Sequence, residues 1–443
     1  MIYNEQSPQR YDASLPQSVA VVVIGGGIIG AATAWYLCRA GHTVLLCEKG
    51  RIAGEQSSRN WGWVRQQGRD AAELPIMMES NRIWQRLGNQ IGHDVGFRQH
   101  GVLYIAESEE EMRRHEEWQK LAASHGLESI LLGSADIRQR IAALRGNWWG
   151  GVITPSDGRA EPSEAVPALV ADCFRRGVTV VENCAVRCLE KTRGAVSAVI
   201  TEKGAVRCDS VVLAGGAWSS IFLGNQNIRF PQLTVKSTVA RTAQADEIFP
   251  GNASLSGLAF RRRCDGGYTI APSGVHEHLL NQDSLRFAWP FRKVLKQSWH
   301  DTRLRMGVDV PGGRIFTTRW KPDQITPFER QRVLNPKPDP GLLKLLNQRF
   351  SERIPSLAGV PLVEAWAGMI DATPDVVPVI DAVEGLPGLF LGSGFSGHGF
   401  GIGPAAGRIL ADLVQGNPPG HDMDRFRFGR FSDGTPICPG PAL

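Results

Sequence analysis

The chain has 443 residues, enough for two large domains and a substantial core. Its 49 Lys+Arg against 44 Asp+Glu leave a formal charge of only +5, spread along the sequence, which argues against a nucleic-acid partner and is compatible with an anionic small ligand. The eight cysteines form no CxxC pair and no His-rich metal spacing, so no metal is expected, and they point to reduced, buried thiols in a cytoplasmic compartment.

Residues 1–18 are polar with two prolines and lack the features of a signal peptide, which predicts a short disordered lead-in. The apolar run that follows is broken by glycines and too short to span a bilayer, so no transmembrane segment is expected. An apolar strand at 19–24 runs into Gly25-Gly26-Gly27-Ile28-Ile29-Gly30 and a small-residue helix. Gly41 stops the helix, and a second strand at 44–47 ends on Glu48. This is a βαβ dinucleotide unit. Gly25 permits the tight turn, Gly27 lets backbone N–H groups reach a pyrophosphate, Gly30 lets helix and strand approach, and Glu48 accepts from ribose hydroxyls.

The polar stretch 49–60 suits a loop covering a ligand, and it continues into Trp61, Trp63 and Arg65, which suit a pocket wall. Further on, helices are expected at 74–88 and 107–124, a strand at 97–106, and a short helix capped by Ser134. A turn at 157–162 leads into a helix ending at Gly177, then a strand at 178–182, a hairpin over 184–208 and an apolar strand at 209–219 that returns to the first sheet. Residues 225–360 carry strand-like runs at 234–241 and 267–271 and a Pro-rich connection from 311 to 340. A strand at 389–394 and a helix at 403–416 follow, and the tail from His421 is expected to lie on the surface. The fold class is therefore α/β: a discontinuous Rossmann-type nucleotide-binding domain (1–92, 151–224 and 361–443) with a second, α+β mixed-sheet substrate domain (93–150 and 225–360).

A second glycine-rich strand-to-helix junction, GSGFSGHGFG over 392–401, sets the chain apart from simple NAD dehydrogenases, which need only one. Backbone N–H groups at a helix start suit the side of a flavin ring where negative charge builds on reduction, so two junctions favour FAD. His398 in this junction is a candidate for acid–base work or simply shapes the turn.

The pieces VVVIGGGIIGAATAWYLCRAGHTVLLCEK, DSVVLAGGAWSS, WAGMIDATPDVVPVID and FLGSGFSGHGFGIGPAAGRILADL frame most of the chain. Together they resemble the FAD-dependent oxidoreductases of the D-amino acid oxidase type, which include sarcosine and glycine oxidases and D-amino acid or hydroxyproline dehydrogenases. The resemblance implies extended FAD under a sheet-and-helix substrate domain and hydride transfer from the carbon beside an amine to flavin N5. It places Gly25, Gly27, Ile28, Ile29, Gly30, Glu48 and Lys49 at the ADP half, Val186 by the adenine, and Ser57 and Ser58 by the diphosphate and ribityl. Gly215, Gly394, Gly397, His398, Gly399 and Phe400 complete the cofactor set, the last four at the flavin edge.

The departures from that pattern are specific. Gly368 stands where covalent sarcosine oxidases carry a cysteine, which implies non-covalent FAD. Gly401 replaces the lysine that follows GHGF in those enzymes, and the WAG stretch lacks the arginine of D-arginine-type dehydrogenases. A substrate carboxylate therefore needs another partner. Arg65 is the first candidate, ahead of Arg159 and the run Arg261-Arg262-Arg263, while Asp371 either faces a substrate cation or caps a turn. The expected activity is oxidative deamination or dehydrogenation at the C–N bond of a D-amino acid or an N-alkyl (secondary) amino acid. A small-molecule substrate is thus the expected partner, with oxygen, a quinone or an electron-transfer protein open as acceptor and the oligomeric state open. The alternatives are an amine or polyamine oxidase and, outside enzymes, a non-catalytic nucleotide-binding subunit of a complex.

Overall fold

β-Branched residues at 18–24 form the central strand β1 (Ser18–Ile24), whose Val21, Val22 and Val23 are buried because both faces of the sheet are covered. The computed structural model describes residues 2–314 and 319–440. From β1 the chain enters helix α1 (Ile28–Arg39) and returns through strand β2 (Val44–Cys47), which pairs parallel to β1 with Val21 opposite Val44. Gly204–Leu213 flanks β1 on its other side, also parallel, and Leu389–Ser393 pairs parallel beyond it. Thr179–Val181 lies outside β2, and Val379–Ala382 forms the opposite edge. These strands and the antiparallel Val186–Thr192 and Ala195–Thr201 make an eight-stranded sheet.

A ten-stranded mixed sheet forms the second layer system. Its spine is the antiparallel pair Leu233–Thr242 and Leu362–Ala372, in register from Leu233 opposite Ala372 to Arg241 opposite Glu364, with a bulge before Thr242 meets Leu362. Sheet membership departs from the expected segments at two places, because Gly150–Thr154 and Leu362–Ala372 both pair within this second sheet. The WAG stretch therefore lies on the second sheet while the turn after it reaches back toward the first.

Several expected elements shift. The helix expected at 74–88 runs from Glu73 to Ile91, and the one expected from 403 begins at Gly399, so GHGF enters its first turn. The expected hairpin over 184–208 is a meander of three strands whose last member runs straight into the parallel core. The strand expected at 97–106 is interrupted: Arg98 makes an isolated antiparallel bridge to Arg159, and the continuous strand is Val102–Ala106. The Pro-rich connection holds a short helix at Pro327–Arg330, and its residues 315–318 lie outside those described. Two cysteines expected to be buried, Cys264 and Cys438, are exposed. Among the described residues no helix is long and apolar enough to cross a membrane, and no group of three potential ligands could hold a metal ion.

The lead-in and the tail are both built into the structure, contrary to their polar composition. Glu182 accepts from the backbone N–H of Arg10 at 2.6 Å, of Tyr11 at 3.2 Å and of Ile52 at 2.8 Å, which fixes the lead-in to the loop after β2. In the tail Phe426 is fully buried, and Arg430 forms a two-pronged pair with Asp375 at 2.8 and 3.0 Å. Both side chains of that pair are about 95% buried, at 4% and 5% exposure. Removing one partner strands a buried charge, so Arg430→Ala is expected to lower unfolding free energy by about 3–5 kcal/mol, measured by urea denaturation. A loss within error of zero would return the tail to the surface.

Candidate active site

The carboxyl ends of β1, Gly204–Leu213 and Leu389–Ser393 open into an elongated cleft. Gly25, Gly27, Ile28, Ile29, Glu48, Lys49, Ser57, Val186 and Gly215 line one arm, and Gly397, Gly399 and Phe400 line the other. Local backbone demands shape it. Gly25 has φ +111°, and a Cβ on Gly30 would stand 2.0 Å from the Gly25 carbonyl oxygen, so helix and strand meet there without side chains. Ser57 Oγ accepts from the Ile28 N–H at 2.9 Å, tying the covering loop to the start of α1.

Glu48 accepts from Gly26 N–H at 2.7 Å and Gly50 N–H at 2.8 Å, and its burial raises its carboxyl above the usual range. Each oxygen keeps a lone pair for a further donor. The Lys49 ammonium is held by Glu55 at 2.6 Å and the Gln331 and Arg332 carbonyls, over the Trp218 ring. Three expected cofactor residues stand behind the cleft wall. Ser58 turns toward Tyr3 N and Glu55 O, Gly30 packs on Gly25, and Gly394 donates its N–H to Asp371 at 2.6 Å.

A cavity of ≈ 940 Å³ adjoins the cleft and shares Gln56, Asn60, Gly397 and Phe400 with it. Trp61 and Trp63, edge to face at 5.6 Å, Arg65, Arg69, Tyr104 and His398 stand in its wall. Asp157 organises the loop that carries the arginines by accepting from Gln66 N–H at 2.7 Å and Gln67 N–H at 3.1 Å. Arg65 donates to the Gln67 carbonyl and lies 5.6 Å from the Tyr104 ring centroid. Arg69 is 3% exposed; burial and the like charge of Arg65 push its guanidinium down to about 9, so it remains charged at neutral pH. Its Nε donates to the Arg65 carbonyl, while its buried Nη1, like Gln67 Nε2, has no hydrogen-bond partner among the described residues.

His398 lies in this cavity wall rather than in the cofactor cleft. Its Nδ1 meets Glu73 Oε2 at 2.9 Å. Burial and the Arg69 charge hold the imidazole down to about 4, so it is neutral at neutral pH. Burial would raise Glu73, but the His398 hydrogen bond and the Arg69 charge keep its carboxyl below the usual range.

The structure does not bring the remaining candidates to the cavity. Asp371 is turned to the cofactor side, where its Oδ2 accepts from Gly394 N–H, Phe395 N–H at 3.3 Å and Ser393 Oγ at 3.3 Å. It caps the turn at 393–395, and burial raises it to about 6. Arg159, opposite Trp63 in a short antiparallel pair, is buried with its guanidinium drawn to the Pro250 carbonyl and Cys264, outside the cavity wall. Arg261 is committed to Glu161 through two 2.9 Å bonds, Arg262 to the Ala245 carbonyl and Arg263 to Asp265. Gln56, Gln67, Arg69 and Glu73 were not legible as site residues. Arg69 follows Arg65 by four positions, but nothing in the sequence marks it as buried.

A family model described as FAD dependent oxidoreductase matches residues 20–413. The chain belongs to this FAD-dependent oxidoreductase family. Its similarity to mouse (Mus musculus) mitochondrial sarcosine dehydrogenase is 23% identity over 434 residues, covering 96% of this chain and 42% of that protein. Against sarcosine oxidase subunit beta of Rhizobium meliloti (strain 1021) it is 23% over 421 residues, covering 94% and 88%. The chain thus spans less than half the length of the sarcosine dehydrogenase it matches. Among solved structures, L-amino acid deaminase from Proteus myxofaciens in complex with anthranilate superposes with a TM-score of 0.92 at 29% identity, covering 98% of this chain and all of that one.

The cleft fits FAD on its own geometry. The glycine contact at Gly25 and Gly30 leaves backbone open at the α1 N-terminus for a diphosphate, and the Glu48 carboxylate stands beyond it for a ribose. Glu48→Ala removes charge-assisted hydrogen bonds of about 1.5–3 kcal/mol, so FAD affinity is expected to fall ~10–100-fold with far-UV circular dichroism unchanged. An unchanged dissociation constant in apoprotein titration means that Glu48 holds no ribose.

Proposed function

We propose that the protein oxidatively deaminates an α-amino acid with a bulky apolar or aromatic side chain, holding the carboxylate between Arg65 and Arg69. The observation that carries this reading is the buried, charged Arg69 with an unpartnered Nη1, in the wall of a cavity that adjoins the cofactor cleft. A buried guanidinium that keeps an unsatisfied N–H is costly, and a planar carboxylate satisfies it. The Gln67 Nε2 amide is a second donor in the same wall. Trp61, Trp63, Tyr104, Leu233, Ile370 and Phe291 give the cavity apolar surface for a large side chain.

The full-length likeness to an L-amino acid deaminase supports a primary L-amino acid over the D- or N-alkyl substrate expected from sequence. The sarcosine relatives, at 23% identity, support the N-alkyl alternative more weakly. Asp371 gives no support to a polyamine reading, since its carboxylate is engaged by the 393–395 turn. A cytoplasmic setting is supported by eight unpaired cysteines.

Bound FAD supplies the ring that accepts the hydride. The chain's residues bind and orient. Arg65 and Arg69 fix the carboxylate, which aims the α-carbon toward the shared wall of Gly397 and Phe400. Neutral His398 adds no charge that would repel a substrate ammonium, and Trp61 and Trp63 exclude water from one side.

Arg69→Ala and Arg65→Ala are each expected to lower kcat/KM on the best amino acid by at least ~10²-fold, about 2–3 kcal/mol, with the flavin spectrum preserved. Anaerobic flavin bleaching against amino acids and their decarboxylated amines reads this directly. Variants that bleach as fast as the parent, or a parent that prefers the amines, would sink the reading.

The same proposal takes FAD as dissociable. Gly368 offers no thiol for a link, and the space a Cβ would take there is filled by the Gln56 side chain, whose Oε1 would stand 2.1 Å from it. Acid precipitation is therefore expected to leave the yellow colour in the supernatant, and colour in the pellet would show a covalent bond.

A further inference from the structure

The outer face of residues 285–308 differs from the rest of the surface. Eleven large apolar side chains are exposed among the described residues, and six of them fall here: Leu285, Trp289, Trp299, Leu304, Met306 and Val308. Leu285 is 85% exposed, Trp289 73% and Val308 71%, a clustering beyond the scattered apolar exposure of ordinary surfaces. This segment is also locally rich in basic residues. Residues 285–306 hold six Lys/Arg against one Asp, an excess equal to the +5 formal charge of the entire chain.

The local structure separates two sides. Helix Ala288–Gln297 buries Phe291 against Leu233, Ala372 and Phe287, and leaves Trp289, Arg292, Lys293 and Lys296 exposed. The Arg292 guanidinium lies 3.9 Å from the Trp289 ring centroid. Edge strand Thr302–Arg305 adds exposed Arg303, Leu304 and Arg305. The inner side of the same segment lines the substrate cavity through Phe291, Val294 and Leu295.

We propose that this face docks the protein on an anionic lipid bilayer as a peripheral membrane protein, with the outer wall of the substrate cavity against the membrane. Tryptophans beside lysines and arginines suit the headgroup level, where the rings enter the apolar boundary and the cations meet lipid phosphates. A second copy of the chain is the poorer occupant, because a self-complementary contact would bring two basic faces together. The proposal does not depend on which amino acid is the substrate.

Flavin-loaded protein is sedimented with sucrose-filled vesicles of phosphatidylcholine alone or mixed with phosphatidylglycerol. Partition onto the mixed vesicles is expected to exceed that onto neutral vesicles by at least ~10-fold and to fall in high salt. The double variant Trp289→Ser, Trp299→Ser is expected to lose ~10-fold of that partition. The triple variant Arg292→Glu, Lys296→Glu, Arg303→Glu is expected to lose it altogether. Both should keep the flavin spectrum and substrate bleaching of the parent. The proposal is overturned if the parent ignores mixed vesicles, if the variants partition like the parent, or if sedimentation equilibrium shows a dimer that the tryptophan variant dissolves.

Discussion

Direct packing of one helix on another, with almost no side chain between them, governs the rest of the molecule. A Cβ on Gly407 would stand 2.4 Å from Ala32 Cβ and 2.7 Å from Thr33 N, and one on Gly403 would stand 2.7 Å from Ile28 Cγ1. The helix Gly399–Gln415 therefore lies against α1, and both start at the carboxyl ends of parallel strands in one sheet. Two helix N-termini side by side give one cleft with two donor-rich arms, as a long cofactor with a diphosphate and a flavin ring requires. Larger residues at these contacts would separate the arms and lose the cleft before any contact with the cofactor was considered.

The substrate side depends on a second constraint, the electrostatics of burial. Arg65 and Arg69 share one loop, and the first of them adds its repulsion to the desolvation of the second. Asp157 holds that loop by its backbone, and the Asp157 and Glu73 charges offset only part of the cost of burying Arg69, whose guanidinium stays below its usual range. Glu73 is nearby but is hydrogen-bonded to His398. The cavity wall thus carries positive charge, and the proposed carboxylate completes it by supplying the missing acceptor.

Chain ends that compose as solvent-exposed polypeptide act here as straps. Glu182 binds the lead-in to the loop after β2, while Asp375 and Arg430 bind the tail to the turn that follows the WAG strand. Both straps close over elements that build the cofactor cleft. Six of the eleven exposed large apolar side chains of the described residues, with six basic residues among them, lie instead on the segment over the substrate cavity.

The sequence by itself determined the βαβ unit, Glu48 at its end, and the second glycine junction, because each is a local demand. A turn that needs positive φ, a helix that needs a small face and a ribose that needs an acid leave residues at fixed spacing. It also placed Trp61, Trp63 and Arg65 in a loop able to form a pocket wall. Only the tertiary structure decided which arginine is buried beside that wall, since burial of Arg69 is set by strands and helices far away in the chain. Likewise, Asp371 and Arg159 differ from Arg65 by the partners that the fold brings to them, the 393–395 turn for one and Cys264 with the Pro250 carbonyl for the other, and spacing along the chain carries no record of those partners.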